Sequence, residues 1–228
     1  MPPYVTSRTL NEDCAKWLHD IEEVNVHHFE ADLSKMALMV IDMQVFFCSP
    51  GAPAYLDAVP AILPNIKKLI RSFRQWNRPI IFTRHVHRAD GSDAGIMRWW
   101  WEAMCVEGTP ESEIHPEIAP LPGELVVSKH RYSAFYNTDL EILLRGKNIT
   151  DLAITGVMTN MCCETTARDA HMRDLRVQFV ADATATATEE MHRSSLLNLA
   201  YGFAHIITTD HLVSTLTARK PSRRSRQI

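Results

Sequence analysis

Six short apolar segments recur along the chain, and longer stretches with helical periodicity lie between most of them. Each segment has five to seven residues and little internal polarity, a pattern typical of strands buried on both faces of a sheet. Strands that alternate with helices favour parallel pairing, with helices covering both faces. The sequence therefore predicts an α/β fold, a single-domain, three-layer αβα, Rossmann-like structure with a six-stranded, mainly parallel sheet. The predicted strands are Met36–Asp42, Pro79–Arg84, Leu125–Lys129, Asp151–Val157, Arg176–Asp182 and Ala204–Thr209.

Helical patterns fill most of the intervening stretches. Ala61–Trp76 carries apolar residues spaced three and four apart, as expected for a helix packed on the sheet. Thr138–Arg145 opens with Thr-Asp-Leu-Glu, which resembles a capping box at a helix start. Cys162–Asp174 and Glu189–Tyr201 complete the predicted helices of the body.

Three parts of different composition divide the chain. Residues 1–35 are polar and irregular, with one predicted helix around Glu12–Val24, and we expect an N-terminal arm that lies on the body or on a partner subunit. Residues 36–217 form the predicted body. Residues 218–228 are rich in Arg, Ser and Pro, and they form a predicted basic, disordered tail.

Charge and hydropathy narrow the class of protein. The formal net charge is −3, and five basic residues lie in the last eleven positions, so the rest of the chain is more acidic still. An acidic body argues against nucleic acid as a partner. No apolar run approaches the roughly 20 residues needed to cross a bilayer, and the N-terminal segment lacks the apolar core of a signal peptide. We therefore expect a cytoplasmic protein that binds neither membrane nor nucleic acid.

The five cysteines, Cys14, Cys48, Cys105, Cys162 and Cys163, include no CxxC pair. An odd count without paired spacing is unlike a disulfide framework or a zinc ribbon. In a reducing cytosol a cysteine is either a small buried hydrophobe or a nucleophile, so its surroundings decide its role.

Three reactive side chains lie where predicted strands end. Asp42 ends the first strand, Lys129 ends the third, and the fourth leads through a short turn into Cys162 at a predicted helix start. The carboxyl ends of parallel strands share one edge, where ligands bind in open α/β sheets. The helix N-terminus and the Lys129 ammonium would favour a Cys162 thiolate, and Asp42 could accept the thiol proton and pass it to a leaving amine. Together the acid, the amine and the thiol predict a nucleophilic site.

Three motifs resemble one family. They are Val40-Ile-Asp-Met-Gln44, Lys129-His-Arg-Tyr-Ser-Ala-Phe135 and Gly156-Val-Met-Thr-Asn-Met-Cys-Cys-Glu-Thr-Thr-Ala-Arg-Asp-Ala170, in this order. With their strand context they resemble the isochorismatase-like cysteine hydrolase superfamily over roughly residues 36–215. The resemblance implies the same αβα fold for this body and a hydrolytic activity on a small-molecule substrate.

The resemblance also implies roles for individual residues. Cys162 matches the nucleophile of the family, Asp42 its general acid and base, and Lys129 the third member of the catalytic trio. The family further has a non-proline cis peptide bond, which maps to the bond between Val157 and Met158. The predicted oxyanion donors are the backbone N–H groups of Met158 and Cys162.

The neighbouring Cys163 falls where the family usually carries an apolar residue. Successive residues of a helix point about 100° apart, so the two thiols cannot both face one pocket. We therefore predict that Cys162, and not Cys163, is the nucleophile.

The retained Cys162 separates two chemistries within the superfamily. The segment after Lys129 is shared by isochorismatases and ureidoacrylate amidohydrolases, but true isochorismatases, which cleave a vinyl ether, lack this cysteine. We therefore expect hydrolysis of an amide, ureido or carbamoyl C–N bond, although Asn160 replaces an aspartate that many relatives carry. The alternatives are vinyl-ether hydrolysis and a non-catalytic, oligomeric member of the fold.

The long insertion Ala89–Pro122 contains Trp99–Trp101, and such segments are usually functional or lie at interfaces. Together with the habit of the family, it predicts a homo-oligomer, either a dimer or a tetramer. We expect no cofactor.

Five further residues are predicted, with plain packing as the alternative, to contact the substrate or brace its site. Gln44 is expected to brace the Asp42 loop, and Phe46 is expected in the pocket wall or the core. Trp100 is expected in the pocket wall or at a subunit contact. Arg131 and Tyr132 follow Lys129 and are candidates to bind a substrate carboxylate.

A metal site is the last alternative. The nicotinamidase branch of the superfamily binds a metal through Asp and His ligands after its second strand. Here His85 replaces that Asp, His87 follows two residues later, and no third ligand is evident in the sequence. We therefore expect no metal.

Overall fold

A computed structural model describes residues 2–218 of the chain. The predicted basic tail, apart from Ala218, lies outside the described residues. Within them, six strands form one sheet, in the order along the chain that the apolar segments predict. The strands are β1 (Met36–Ile41), β2 (Ile80–His85), β3 (Leu125–Lys129), β4 (Asp151–Val157), β5 (Arg176–Ala185) and β6 (His205–Ile207).

All neighbouring strands pair in parallel, in the order β3-β2-β1-β4-β5-β6 across the sheet. The two central strands, β1 and β4, are buried at every position. The strand order reverses between them, which opens a crevice at their carboxyl ends, the usual ligand position of open α/β sheets. Because Ile41 pairs with Gly156, the residues that follow β1 lie beside those that follow β4.

Helices flank the sheet, and their bounds differ from the prediction at several points. The helix predicted from Cys162 starts later, because Thr159–Cys163 form a π-helical turn before the α-helix begins at Glu164. The α-helices of residues 2–218 are α1 (Leu10–Asp20), α2 (Val45–Cys48), α3 (Val59–Gln75), α4 (Ile96–Trp100), α5 (Leu140–Gly146), α6 (Glu164–His171), α7 (Glu189–Gly202) and α8 (Thr209–Ala218).

The capping box predicted at the start of α5 is wrong. Thr138 Oγ1 donates to the Ala134 carbonyl and accepts from the Leu140 N–H, while Glu141 forms ion pairs with arginines on α5 and after α6. Both side chains of the expected reciprocal pair are therefore engaged elsewhere. Other contacts of Thr138 and Glu141, most of them local, replace the reciprocal bonds of the capping box.

The N-terminal arm packs on the body of its own chain. Trp17 of α1 is 2% exposed, and its indole Nε1 donates a 2.9 Å hydrogen bond to Glu189 Oε1 on α7. Further along, the side-chain amide of Asn25 donates to the Ile206 carbonyl and accepts from the Ile206 N–H. The Asn25 amide thus pairs with β6 as the backbone of a neighbouring strand would, and the arm covers this edge of the sheet.

The long insertion lies over the carboxyl ends of the strands and contains the short helix α4. Met97 of this helix is buried, whereas Trp99 and Trp100 are 75% and 61% exposed. The exposed indoles suit the predicted subunit contact, which stays a prediction. No helix within residues 2–218 is long and apolar enough to span a membrane.

Gly156 allows the two central strands, β1 and β4, to approach closely beside the crevice. Its φ is +112°, and a Cβ atom built there would lie 2.0 Å from the Ile41 carbonyl oxygen. We expect Gly156→Ala to lower the free energy of unfolding by about 3 kcal/mol or more, because the backbone of β1 would have to move. Thermal melts should show a fall of at least about 6 °C.

Gly123 provides the matched control for this substitution. Its φ is +92°, but apart from its own chain neighbours no heavy atom of residues 2–218 lies within 4 Å of the corresponding Cβ position, so Gly123→Ala carries backbone strain without a collision. Equal losses of stability in the two variants would contradict the role given to the close approach of β1.

Candidate active site

Asp42 follows the last residue of β1, at the crevice. Its backbone φ is +50°, in the left-handed region that Asp tolerates better than most residues, and the turn leads the chain out of the sheet. The side chain is fully buried. Oδ1 accepts a 2.6 Å hydrogen bond from Thr83 Oγ1 on the neighbouring strand β2, which restricts the orientation of the carboxylate.

Lys129 ends β3, and its side chain reaches Asp42. Its Nζ lies 2.7 Å from Asp42 Oδ2 and donates a 3.2 Å hydrogen bond to Cys162 Sγ and a 3.1 Å bond to the Arg131 carbonyl. Burial alone would lower the pKa of this fully buried amine, but the Asp42 carboxylate and the Cys162 sulfur raise the pKa above its ordinary value. Lys129 is therefore an ammonium with both other members of the trio beside it.

Cys162 lies in the π-helical turn that leads into α6, and it is 6% exposed. Burial raises the pKa of its thiol to about 12, and the nearby Asp42 adds to this rise, although Lys129 opposes it. The Lys129 ammonium therefore favours the thiolate, as expected, while burial and Asp42 oppose it.

The π-helical turn is fixed by three neighbours on its far side. Thr159 Oγ1 lies 2.9 Å from His192 Nδ1, Asn160 Oδ1 accepts a 2.6 Å bond from Thr186 Oγ1, and Glu164 accepts from Ser195. Residues Asn160 and Glu164 of the sequence motif therefore hold the turn, while Cys162 faces the crevice. An amide oxygen at position 160 suffices for the bond to a hydroxyl group, so Asn can stand where many relatives have Asp.

The remainder of the motif connects α6 to the segment after Lys129. Thr166 Oγ1 accepts a 3.0 Å bond from the Ala134 N–H, and Asp169 accepts from Ser133 Oγ. These bonds couple α6 to the loop that begins at Lys129. None of these four residues belongs to the trio, so the two motifs are linked by bonds outside it.

Cys163 points away from the crevice. It is fully buried, and its Sγ donates a 3.9 Å bond to the Thr155 carbonyl inside the sheet. Burial raises the pKa of this thiol well above its ordinary value. The structure thus places one of the two adjacent thiols at the crevice and the other in the core.

A narrow cavity of about 100 Å³ opens above Cys162. Its wall is largely apolar and aromatic, and within residues 2–218 it includes no Asp, Glu, Lys or Arg side chain. Met158 and Cys162 both line it, and the peptide bond between Val157 and Met158 is cis. The lining residues are Phe46, Phe47, Ala54, His85, His87, Met97, Trp101, Ala103, Met104, Cys105, Tyr132, Met158, Met161 and Cys162.

Two of the five predicted substrate contacts line this cavity, Phe46 and Tyr132. Trp100 does not line the cavity. Its neighbour Trp101 occupies the position in the cavity wall that the sequence suggested for Trp100. Met97 and Trp101 are four residues apart and share one side of the helical turn, a spacing that identifies both only once the short helix is recognised. Trp101 Nε1 donates a 3.0 Å bond to Tyr132 Oη and joins the insertion to the segment after Lys129.

Gln44 and Arg131 lie behind the cavity wall. Gln44 is fully buried, accepts a 2.7 Å bond from the His85 N–H and donates to the Ser112 carbonyl, so it braces β2 and the insertion. The Arg131 guanidinium donates to the carbonyl groups of Asp93 and His130. Its Nη1 thus holds the insertion at Asp93 and its own loop at His130, and Arg131 is not among the residues that line the cavity.

The sequence also missed potential metal ligands beside His87. The side chains of Asp93 and His130 lie close enough that the ligand atoms of all three fall within 4.8 Å of one another, as do those of Asp42, His85 and Cys162. In the first group both Asp93 oxygens accept from the Arg88 N–H, and His130 Nδ1 bonds the Val86 carbonyl at 2.7 Å. These bonds explain why the three side chains lie together without requiring a metal ion. The absence of a metal stays a prediction.

Comparison with known proteins identifies the relatives of this site. Residues 36–211 match the family model described as "Isochorismatase domain". Nicotinamidase 3 of Arabidopsis thaliana is 41% identical over 184 residues, which are 79% of this chain and 88% of that protein. An isochorismatase of Bacillus subtilis is 31% identical over 185 residues, 81% of this chain but 59% of the relative.

A solved structure agrees with these matches. The crystal structure of a cysteine hydrolase from Pseudomonas syringae pv. phaseolicola superposes with a TM-score of 0.81 and 31% identity, over 84% of this chain and 96% of that one. The family model covers most of the chain, and the αβα fold is shared. The chain therefore belongs to the isochorismatase family of hydrolases.

Proposed function

We propose that this protein hydrolyses the C–N bond of a small, uncharged amide through a covalent intermediate on Cys162. The observation that carries the proposal is the position of the Cys162 sulfur. It lies at the floor of an apolar cavity, 3.2 Å from the Lys129 ammonium, which is itself paired with Asp42. A thiol, a base and a cation in contact are the parts that amide cleavage by a cysteine needs.

The first half-reaction forms the intermediate. Asp42 takes the thiol proton as Cys162 Sγ attacks the carbonyl carbon, and the negative charge moves to the carbonyl oxygen. The backbone N–H groups of Met158 and Cys162 are the proposed donors to this oxyanion. Asp42 then gives its proton to the nitrogen, the C–N bond breaks, and ammonia or an amine leaves a thioester on Cys162.

The second half-reaction restores the enzyme. Asp42 removes a proton from water as the water oxygen attacks the thioester, and the carboxylic acid leaves while Cys162 regains its proton. Lys129 balances the charge throughout, because its ammonium touches both the carboxylate and the sulfur. In this cycle Asp42 receives from the thiol the proton that the leaving nitrogen later needs.

The cavity lining favours an uncharged substrate. A carboxylate in this narrow, apolar cavity would lose its hydration without gaining a cationic partner, which is costly. Arg131, the cation that the sequence suggested for this role, does not line the cavity, and its Nη1 donates to the carbonyl groups of Asp93 and His130. An aromatic or aliphatic primary amide fits this lining better than a ureido acid or isochorismate, and the relative named Nicotinamidase 3 makes nicotinamide the first compound to test.

The test is a substrate panel with two readouts. Nicotinamide, benzamide, an N-carbamoyl amino acid, a ureido acid and isochorismate are incubated with the purified protein, and the release of ammonia and of pyruvate is measured. We expect ammonia from the uncharged amides, with kcat/KM at least about tenfold higher than for the acids. If isochorismate is the best substrate and pyruvate is released, vinyl-ether hydrolysis is favoured instead. The Bacillus subtilis relative is named for isochorismate.

A further inference from the structure

His192 of α7 is fully buried behind the π-helical turn that carries Cys162, and the proposed reaction does not use it. Its Nδ1 lies 2.9 Å from Oγ1 of Thr159, the first residue of that turn. Burial lowers the pKa of His192 to about 3, although the backbone of Ala181 opposes this, so the ring is neutral at neutral pH. A buried, neutral imidazole in contact with the turn supports the turn and is not poised to exchange a proton.

Two aromatic side chains of the N-terminal arm cover His192. The Trp17 ring centroid lies 4.6 Å from that of His192, and the Tyr4 ring centroid lies 6.1 Å from it. The bond from the indole Nε1 to Glu189, one helical turn before His192 on α7, orients Trp17. Trp17 is 2% exposed, so its indole, and not solvent, lies against the imidazole.

Tyr4 also reaches the turn by a second route. Its Oη accepts a 3.3 Å hydrogen bond from the backbone N–H of Thr186, and Thr186 Oγ1 donates a 2.6 Å bond to Oδ1 of Asn160, the second residue of the turn. Burial raises the pKa of Tyr4 to about 12, although the Thr186 N–H opposes this, so the hydroxyl stays protonated. On both routes a single residue stands between the arm and the turn.

We propose that the N-terminal arm positions the nucleophile. Two aromatic residues of the arm, Tyr4 and Trp17, keep the supports of the π-helical turn in place. These supports, His192 and Thr186, fix the turn, and the turn determines where the Cys162 sulfur lies. None of the first four residues lines the cavity, so all four are positioning residues. The proposal rests on the proposed function only for its effect on turnover.

Small displacements of this turn matter for the reaction. Cys162 Sγ lies 3.2 Å from the Lys129 ammonium and lines the cavity in which the amide carbonyl must meet it. A shift of about 1 Å at a reacting atom can cost roughly 10²-fold in rate. A π-helical turn is rare in proteins, so we expect its shape to depend on contacts from outside, and the arm stands behind two of these contacts.

The direct test is a comparison of crystal structures of the full chain as wild type, Trp17→Leu and Asn25→Ala. Trp17→Leu removes the indole that covers His192, whereas Asn25→Ala loosens the arm at its contact with β6. We expect Cys162 Sγ to move away from Lys129 Nζ by about 0.5 Å or more in Trp17→Leu, which exceeds the tolerance of catalytic geometry, and to stay in place in Asn25→Ala. An unmoved sulfur in Trp17→Leu, or an equal movement in both variants, would overturn the proposal.

Kinetics of the preferred amide supply the second test. We expect kcat to fall roughly tenfold in Trp17→Leu, with KM within about twofold of wild type because the cavity wall is unchanged. Trp17→Phe restores an aromatic ring and should recover part of the loss. Asn25→Ala loses two hydrogen bonds of the arm but should keep the kcat of wild type. Equal losses of kcat in Trp17→Leu and Asn25→Ala would reduce the arm to a stabilising cover and contradict the proposal.

Milder variants apply if Trp17→Leu does not fold. Tyr4→Phe keeps the ring and removes the oxygen that accepts from the Thr186 N–H, and Thr159→Val keeps the shape of the side chain but removes the hydroxyl bonded to His192. We expect kcat to fall about threefold in Tyr4→Phe and about tenfold in Thr159→Val, with recovery in Thr159→Ser, which restores the hydroxyl. The kcat of wild type in either Tyr4→Phe or Thr159→Val would overturn the proposal as stated.

The crystallographic test separates this inference from the proposed function. It needs no substrate, so a displaced sulfur in Trp17→Leu would support the role of the arm even if no amide is turned over. Conversely, ammonia release by Trp17→Leu at the kcat of wild type would leave amide hydrolysis standing and remove the role of the arm.

Discussion

Cys162→Ala is expected to lower the turnover of the preferred amide by roughly 10⁴-fold or more, because the variant has no atom that can form the covalent intermediate. The side chain is small and mostly surrounded by protein, so the variant should melt close to the wild type. Ammonia release gives the rate. Mass spectrometry of acid-quenched wild type during turnover should show an acyl adduct on the peptide that contains Cys162.

Two other thiols serve as matched controls. Cys163 lies next to the nucleophile but faces the core, and Cys105 lines the same cavity as Cys162. Burial raises the pKa of Cys105 to about 12, and its sulfur accepts from the Gln44 amide, whereas Cys162 has an ammonium at 3.2 Å. Cys163→Ala and Cys105→Ala should therefore keep kcat within about tenfold of wild type, at some cost in stability or KM.

The contrast between these variants distinguishes the two chemistries of the family. Vinyl-ether cleavage needs a proton delivered to an alkene carbon, which Asp42 alone could supply, and it forms no thioester. If Cys162→Ala stays active while the product is pyruvate, amide hydrolysis is refuted but the fold and the family are unaffected. If Cys105→Ala or Cys163→Ala is the inactive variant instead, the nucleophile has been assigned to the wrong sulfur.

Local patterns were sufficient for the sheet and for the convergence of the trio. Buried parallel strands are apolar along their whole length, so the segments around Met36 and Asp151 stand out from the surrounding sequence. The reactive residues then follow from where strands end, since parallel strands share one carboxyl edge. Asp42, Lys129 and Cys162 could be named without knowing any distance between them.

The residues that the sequence missed depend on contacts between distant segments. Thr83 orients Asp42 from the next strand, and Asp93 reaches His87 and His130 through the fold of the insertion. No local pattern marks such a partner, because the same residue types are common on surfaces. The burial of Cys162, which raises the pKa of its thiol to about 12, is likewise not visible in the sequence.

Trp101 is an intermediate case. The three consecutive tryptophans predict an aromatic cluster, but only the helical register of α4 determines which indole lines the cavity. Met97, four residues earlier and buried, gives that register once a helix is recognised. A five-residue helix is too short for periodicity to reveal it reliably, so the sequence selected the neighbouring Trp100.

Asp42→Asn is expected to lower kcat by about 10²- to 10⁴-fold, because an amide can accept a hydrogen bond but cannot carry the proton between sulfur and nitrogen. The substitution also breaks a buried ion pair and leaves Lys129 without its carboxylate. Removing one partner of such a pair typically costs about 3–5 kcal/mol of stability. Activity and stability would therefore fall together, and the single variant cannot tell catalysis from misfolding.

The double variant Asp42→Asn/Lys129→Met separates the two effects. It removes the unpaired charge and keeps a side chain of similar length, so urea unfolding should recover much of the stability lost in Asp42→Asn. Turnover should stay low, since the proton carrier is still missing. Recovery of both stability and turnover would show that Asp42 serves only to neutralise Lys129.

The pH dependence of unfolding gives an independent check on the pair. The pKa of Lys129 is raised in the folded protein above its ordinary value of 10.5. The stabilisation from the pair is then complete below that value and is lost as the pH rises through the raised pKa. The stability gap between wild type and Asp42→Asn should therefore be constant around neutral pH and narrow in strongly alkaline solution. A gap that narrows on acidification between pH 8 and pH 6 would instead assign the stabilisation to a histidine and contradict the ion pair as its source.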